Sequence, residues 1–222
     1  MSAAQLPLDL GVRPAYGLAD FIVAESNRAA VAWIDSWPKW PGIALAVAGP
    51  AGSGKTHLCQ VWRQRTAARV IAPEALATQP PPELIGDAPA IVLDGLDGAL
   101  PERALLHLIN HAADERRYVL VAAREPPARW PVGLPDLASR LAALPAVAIG
   151  APDDALLAAV IAKLFRDRQL PVGTEVVDYL LARIERSLSA AQRVVAALDR
   201  AALAGQRPIT VTLARIVLAE QA

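Results

Sequence analysis

Apolar residues recur along this chain in two different patterns. Up to about residue 150 they form short continuous runs, Ile43 to Ala48, Val70-Ile71, Ala90-Ile91-Val92-Leu93, Tyr118 to Ala123 and Ala146-Val147-Ala148-Ile149, separated by helix-like or polar stretches. Runs of this kind suit strands buried on both faces, and strands that alternate with helices build a parallel α/β sheet, here of five strands. From Pro152 onward the spacing is helical only. Asp153 can cap a helix from Ala155 to Phe165, Thr174 one from Glu175 to Ile184, Ser187 or Ser189 one that runs to Ala204, and a last helix follows Thr210. Ahead of the first strand, Ser26 can cap a helix of about ten residues carrying Ala30, Val31, Trp33 and Ile34, stopped by Pro38. The pattern divides the chain into a tail at 1–17, an α/β base at 18–150 and a small all-helical domain at 151–222, with Gly150-Ala151 as the hinge. Gln79-Pro80-Pro81-Pro82 reads as a surface loop.

The turn after the first strand carries the chemistry. Gly49-Pro50-Ala51-Gly52-Ser53-Gly54-Lys55-Thr56 fills G-x-x-x-x-G-K-[ST] without a mismatch, and His57-Leu58-Cys59-Gln60-Val61-Trp62 can open a helix behind it. Small residues let such a loop wrap closely round phosphates. Backbone N–H groups and the helix N-terminus supply partial positive charge, Lys55 adds a full one, and Thr56 can ligate Mg²⁺. The chain has only Lys39, Lys55 and Lys163, with arginine supplying the rest of its 22 basic residues, yet a lysine stands at the phosphate position. Ala90-Ile91-Val92-Leu93-Asp94 is a buried run ending in a carboxylate, as where a metal aspartate holds Mg²⁺ through water. In many ATPases of this architecture an acidic residue follows that aspartate and polarises the attacking water. Gly95 stands there instead, and Asp97, three residues on, reads better as a solvated loop residue.

Composition then narrows the class. A chain of 222 residues with 54 % hydrophobic residues can bury a substantial core, and a formal net charge of zero advertises no general affinity for DNA, RNA or acidic membranes. Cys59 is the sole cysteine, which excludes an internal disulfide and a cysteine-based metal site. No signal sequence or apolar run of membrane length is present, so a cytoplasmic protein is expected. His107 and His111 are four apart but lack the partners of a zinc site and read as a solvated helix face. The five tryptophans, Trp33, Trp37, Trp40, Trp62 and Trp130, read as core or loop anchors.

Asp20-Phe21-Ile22-Val23 with Ser26-Asn27, the phosphate loop, Leu93-Asp94, Arg124-Glu125-Pro126-Pro127 and Asp136-Leu137-Ala138-Ser139-Arg140-Leu141 occur in the order seen in the family of the bacterial replication initiator DnaA and its shorter relative Hda. The resemblance covers nearly the whole chain. DnaA continues into a helix-turn-helix domain, whereas this sequence ends after the helical part, which points to the Hda-like member. The resemblance implies an AAA+ base with a helical lid, a nucleotide (ADP or ATP with Mg²⁺) held between them, and adenine near Phe21, Ile22 and Val23. In the tail, Gln5-Leu6-Pro7-Leu8-Asp9-Leu10 looks like the Q-L-x-L-x-L hexapeptide that docks bacterial proteins on the replication sliding clamp, the beta subunit of DNA polymerase III. The glutamine would sit at a pocket rim and Leu6, Leu8 and Leu10 in an apolar cleft. The alternative is a tail that packs its leucines on its own domain.

By the same resemblance Arg140 occupies the position of an arginine finger, reaching toward a nucleotide held by a neighbour. On residues alone an intramolecular ion pair is the better reading, and it is the match of Asp136 to Leu141 to the family that favours the finger. Two positions depart from the family. Arg124 stands where DnaA has an Asp at the end of the fourth strand, and Ser189 falls where the lid arginine over the phosphates is expected. Arg186 and Arg193 are close enough on a helix to compensate, Arg193 being the preferred candidate, and a solvent-facing role for both is an equally open reading. These departures and Gly95 argue for a chain that holds nucleotide, with ADP as a structural ligand, and has weak or no ATPase activity of its own. Three functions follow. The first is a negative regulator of replication initiation that docks on the clamp and completes the ATP site of DnaA. The second is an ATPase in its own right, and the third a non-catalytic nucleotide-bound adaptor. The partners implied are the clamp, DnaA and, as a homodimer, a second copy of the chain, with neither sequence-specific DNA nor membrane among them.

Overall fold

The computed structural model of the protein describes residues 21–96 and 101–220. The hexapeptide Gln5 to Leu10, Asp20 and Asp97 lie outside the described residues. Five parallel strands, β1 (Ala44–Ala48), β2 (Arg69–Ile71), β3 (Ala90–Asp94), β4 (Tyr118–Ala123) and β5 (Ala146–Ala148), form one sheet in the order β2-β3-β4-β1-β5. The strand that opens into the phosphate loop therefore lies inside the sheet, flanked by β4 and β5.

Alternation along each strand sends successive side chains to opposite faces, and both faces are covered. On one, Leu45, Val47, Val92, Leu120 and Ala122 pack against Ile34 of α1 (Arg28–Asp35) and Leu58 and Trp62 of α2 (Lys55–Thr66). Trp40 stacks on Trp62 with ring centroids 5.4 Å apart, and Trp37 and Tyr118 meet this pair edge-on, so the tryptophans here serve as core. On the other face, Ala46, Ile91, Leu93 and Val121 pack against α3 (Pro81–Ile85), α4 (Glu102–Asp114) and α5 (Pro135–Ala143), through Leu84, Leu105, Leu108, Leu137 and Leu141. The two helices that matter most below, α2 and α5, are on opposite faces.

Four helices follow, α6 (Asp154–Asp167), α7 (Thr174–Leu181), α8 (Leu188–Gly205) and α9 (Val211–Ala219), around a separate core that includes Leu157, Phe165, Val176, Leu198 and Leu213. Three of their starts are capped as hydrogen-bonding rules require: Asp153 accepts from Leu156 N–H, Ser187 from Ala190 N–H and Thr210 from Leu213 N–H. Ser187, and not Ser189, is thus the cap of α8.

Two expected starts differ. Ser26 does not cap α1; its hydroxyl is buried without a hydrogen-bond partner among the described residues. Asn27 takes the N-cap position and turns its amide backward, accepting from Ala24 N–H at 2.9 Å and donating to Ile22 O at 3.0 Å, so that it fastens the lead-in segment to α1. Thr174 is the first helical residue of α7 behind Gly173, and that helix stops at Leu181. Among the described residues no helix is long and apolar enough to cross a membrane.

Candidate functional site: a phosphate loop under a helical lid

The phosphate loop is shaped by contacts that allow no side chain. A Cβ on Gly49 would lie 2.2 Å from Ile149 O, and Gly49 N–H donates to Ala123 O at 3.1 Å, which pins the start of the loop between β4 and β5. Gly52 (φ 70°) and Gly54 (φ 102°) take left-handed conformations that favour glycine. Gly54 is the N-cap of α2, so the free N–H groups of that helix's first turn open into the loop. Lys55 Nζ donates to Gly49 O at 2.7 Å and Pro50 O at 2.8 Å, which holds the ammonium across the loop.

A cavity of about 480 Å³ opens here, walled on the base side by Gly52, Gly54, Lys55, Thr56, His57 and Gln60. Its lid wall is Leu188, Ser189 and Gln192, from the first turns of α8. The lid rests directly on the loop: Leu188 N–H donates to Gly52 O at 2.8 Å, and a Cβ on Gly52 would lie 2.4 Å from the Ser187 Cβ. Ser187 and Ser189 hydroxyls are 3.2 Å apart. The lid wall is neutral because both nearby arginines are engaged elsewhere, Arg186 with Asp154 at 3.0 Å and Arg193 with Glu185 at 3.8 Å. Arg193 was expected over the phosphates; it lies on the exposed side of α8, and Ser189 and Gln192 line the cavity in its place. The loop cradle, the helix N-terminus, Lys55 and the buried Ser53 hydroxyl, which lacks a hydrogen-bond partner among the described residues, fit a nucleotide's phosphates.

Asp94 ends β3 in register with Ala122, whose own neighbour in β1 is Val47, so the carboxylate stands on the sheet edge from which the loop rises. Cys59, buried in α2, feels the charges on both sides. Burial pushes its thiol well above the ordinary range, Asp94 adds to that, and Lys55 opposes it. Asp94 and Lys55 both lie within electrostatic reach of Cys59, and of the groups here the Asp94 carboxylate and the Thr56 hydroxyl are oxygen donors of the kind Mg²⁺ takes. Gly95, at the usual place of the catalytic acid, has φ 81° and donates its N–H to Ala122 O at 3.1 Å. Arg124 follows β4 at the same edge and is exposed.

Toward the expected adenine position, Phe21 meets His57 edge to face at 5.1 Å, which links the lead-in segment to the cavity wall. Ile22 and Val23 are half-buried and do not line the cavity; Val23 packs on the core. Arg140 is in the last turn of α5, exposed, with no hydrogen bond or ion pair among the described residues. Sequence reasoning missed Gln60 and Gln192 as lining residues and the Leu188–Gly52 contact. The serine cap marked where α8 starts, but nothing local shows what that helix end touches.

Residues 154–218 match the family described as "Hda, lid domain". An uncharacterized protein of Haemophilus influenzae is 26% identical over 182 residues, covering 77% of this chain and 79% of that protein. Among solved structures, domain III of the replication initiation protein DnaA from Thermotoga maritima superposes with a TM-score of 0.80 at 17% identity, covering 94% of this chain and 98% of that one. AMPPCP-bound DnaA from Aquifex aeolicus gives a TM-score of 0.66 at 20% identity, covering 85% of this chain and 66% of that one. The chain thus has the fold of DnaA domain III, a five-stranded parallel α/β base followed by a helical lid, and within that lid residues 154–218 match the Hda lid family.

Proposed function

We propose that this protein is a negative regulator of replication initiation that stimulates hydrolysis of the ATP held by DnaA, supplying Arg140 as an arginine finger. The observation that carries this reading is the state of Arg140: exposed, unpaired among the described residues, and on the sheet face opposite its own α2. An arginine so placed serves a neighbour's nucleotide better than its own. Its guanidinium stays charged at any relevant pH, and its planar fork matches phosphate oxygens. When bound in this chain, ADP or ATP with Mg²⁺ supplies the anionic charge that holds loop and lid together. Gly49 to His57 would hold the phosphates, Thr56 and Asp94 the metal ion through water, and Phe21, Ile22 and Val23 the adenine side. Arg193 would contribute only after leaving Glu185. Gln5, Leu6, Leu8 and Leu10 would dock the protein on the sliding clamp in the cytoplasm, and a homodimer would present the same α5 surface. Gly95 supports weak or absent turnover of the chain's own nucleotide, since the residue that directly follows Asp94 in sequence carries no carboxylate to polarise water.

The test is hydrolysis of DnaA-bound ATP in the presence of clamp loaded on DNA. Wild-type protein should accelerate it, and Arg140→Ala should lower that acceleration by about 10³-fold or to the unstimulated rate. A variant that keeps full activity would leave the protein an adaptor.

A further inference from the structure

Glu102 opens α4, the helix that follows the strand ending in Asp94, but its carboxylate does not serve its own helix. It reaches to residues 31 and 32 positions away: Oε1 accepts from Gly133 N–H at 2.9 Å and Oε2 from Leu134 N–H at 2.7 Å. Leu134 is the N-cap of α5, with Pro135 immediately inside the helix, so the carboxylate fixes the backbone at the point where α5 begins. Hydrogen bonds to a carboxylate are short and about twice as strong as neutral ones. Using both oxygens on consecutive N–H groups also sets an orientation. The rest of α5 is held by Leu137 and Leu141, which are buried and face the sheet, while Asp136, Ser139 and Arg140 are exposed. The leucines define which way the helix is rotated. The carboxylate defines where it starts, and Arg140 is five residues, or about 7.5 Å of helix, beyond Pro135.

We infer that Glu102 is a positioning residue for the arginine finger, tying the helix that carries Arg140 to the helix that follows the metal aspartate. The inference rests on the proposed role of Arg140. Glu102 makes no contact with the partner's nucleotide and acts only through α5. A misplacement of about 1 Å at a reacting group can cost about 100-fold in rate, so loosening this anchor matters even when the fold survives.

The experiment measures the maximal rate of DnaA-bound ATP hydrolysis, and the protein concentration giving half of it, on loaded clamp with full-length variants. Glu102→Gln keeps size but sets an NH₂ against one of the two N–H donors; Glu102→Asp keeps charge but is one methylene too short to reach both. Each should lower the maximal rate about 10-fold, with the half-saturating concentration and affinity for fluorescent ADP unchanged. Arg140→Lys supplies the discriminating background, because a flexible lysine depends less on where the helix starts. There, Glu102→Gln should cost less than twofold. Wild-type rates for both Glu102 variants, or an equal loss in the Arg140→Lys background, would overturn the positioning role while leaving the finger intact. Full activity of Arg140→Ala would instead remove the finger, and this inference with it.

Discussion

At the scale of single residues, the site is governed by where a side chain cannot fit. Gly52 combines a left-handed backbone with a lid hydroxymethyl group 2.4 Å from any added Cβ, so Gly52→Ala meets two penalties together. Left-handed backbone alone costs an alanine about 1–2 kcal/mol, and the steric overlap must lift α8 from the loop. Gly52→Ala should therefore bind fluorescent ADP about 10-fold more weakly, a loss of about 1.4 kcal/mol, while its far-ultraviolet circular dichroism matches wild type. Undiminished affinity would mean that the lid contact at Gly52 is dispensable for holding nucleotide. Gly95 is a different case: nothing lies within 4 Å of its would-be Cβ, so backbone conformation rather than space favours glycine beside Asp94.

At the scale of elements, capping chemistry sets the start of α8 and through it the lid wall. Ser187 is 1% exposed, and its hydroxyl accepts from Ala190 N–H at 3.1 Å. Ser187→Ala should destabilise the protein by about 1 kcal/mol, read as a fall of about 2–4 °C in a thermal melt. No change would mean that another group takes over the Ala190 amide. The elements were mostly legible in advance, because buried parallel strands leave apolar runs and helix caps leave Asp, Ser or Thr at the right place. Asn27 escaped because its amide serves the preceding segment rather than its own helix, and no periodicity records that choice. Glu102 escaped for a related reason: its partners are backbone N–H groups on Gly133 and Leu134, which have no side-chain signature. The phosphate loop could be read residue by residue since its spacing is local. The neutral lid wall could not, because it depends on Arg186 and Arg193 finding Asp154 and Glu185.

At the scale of the whole molecule, the proposed activity joins three places: a docking peptide in the tail, a nucleotide between base and lid, and an arginine on the face opposite α2. Docking is separable from the rest, so a Gln5→Ala, Leu8→Ala, Leu10→Ala variant should lose calorimetric binding to the sliding clamp while retaining ADP affinity. Binding that persists would place the clamp contact elsewhere or remove the clamp from the reading. The contact between Leu188 and Gly52 carries a mechanical consequence. α8 is 18 residues long, about 27 Å by helical rise, and only its first turn touches the glycine loop. Its buried face belongs to the lid core, so a lid that turns about this contact carries the whole of α8 with it. A tilt of about 5° at that pivot swings the opposite end by about 2 Å, where Leu203 stands 79% exposed to solvent. The outer end of the lid is thus the place from which an approaching molecule could feel what the loop is holding without reaching the nucleotide at all.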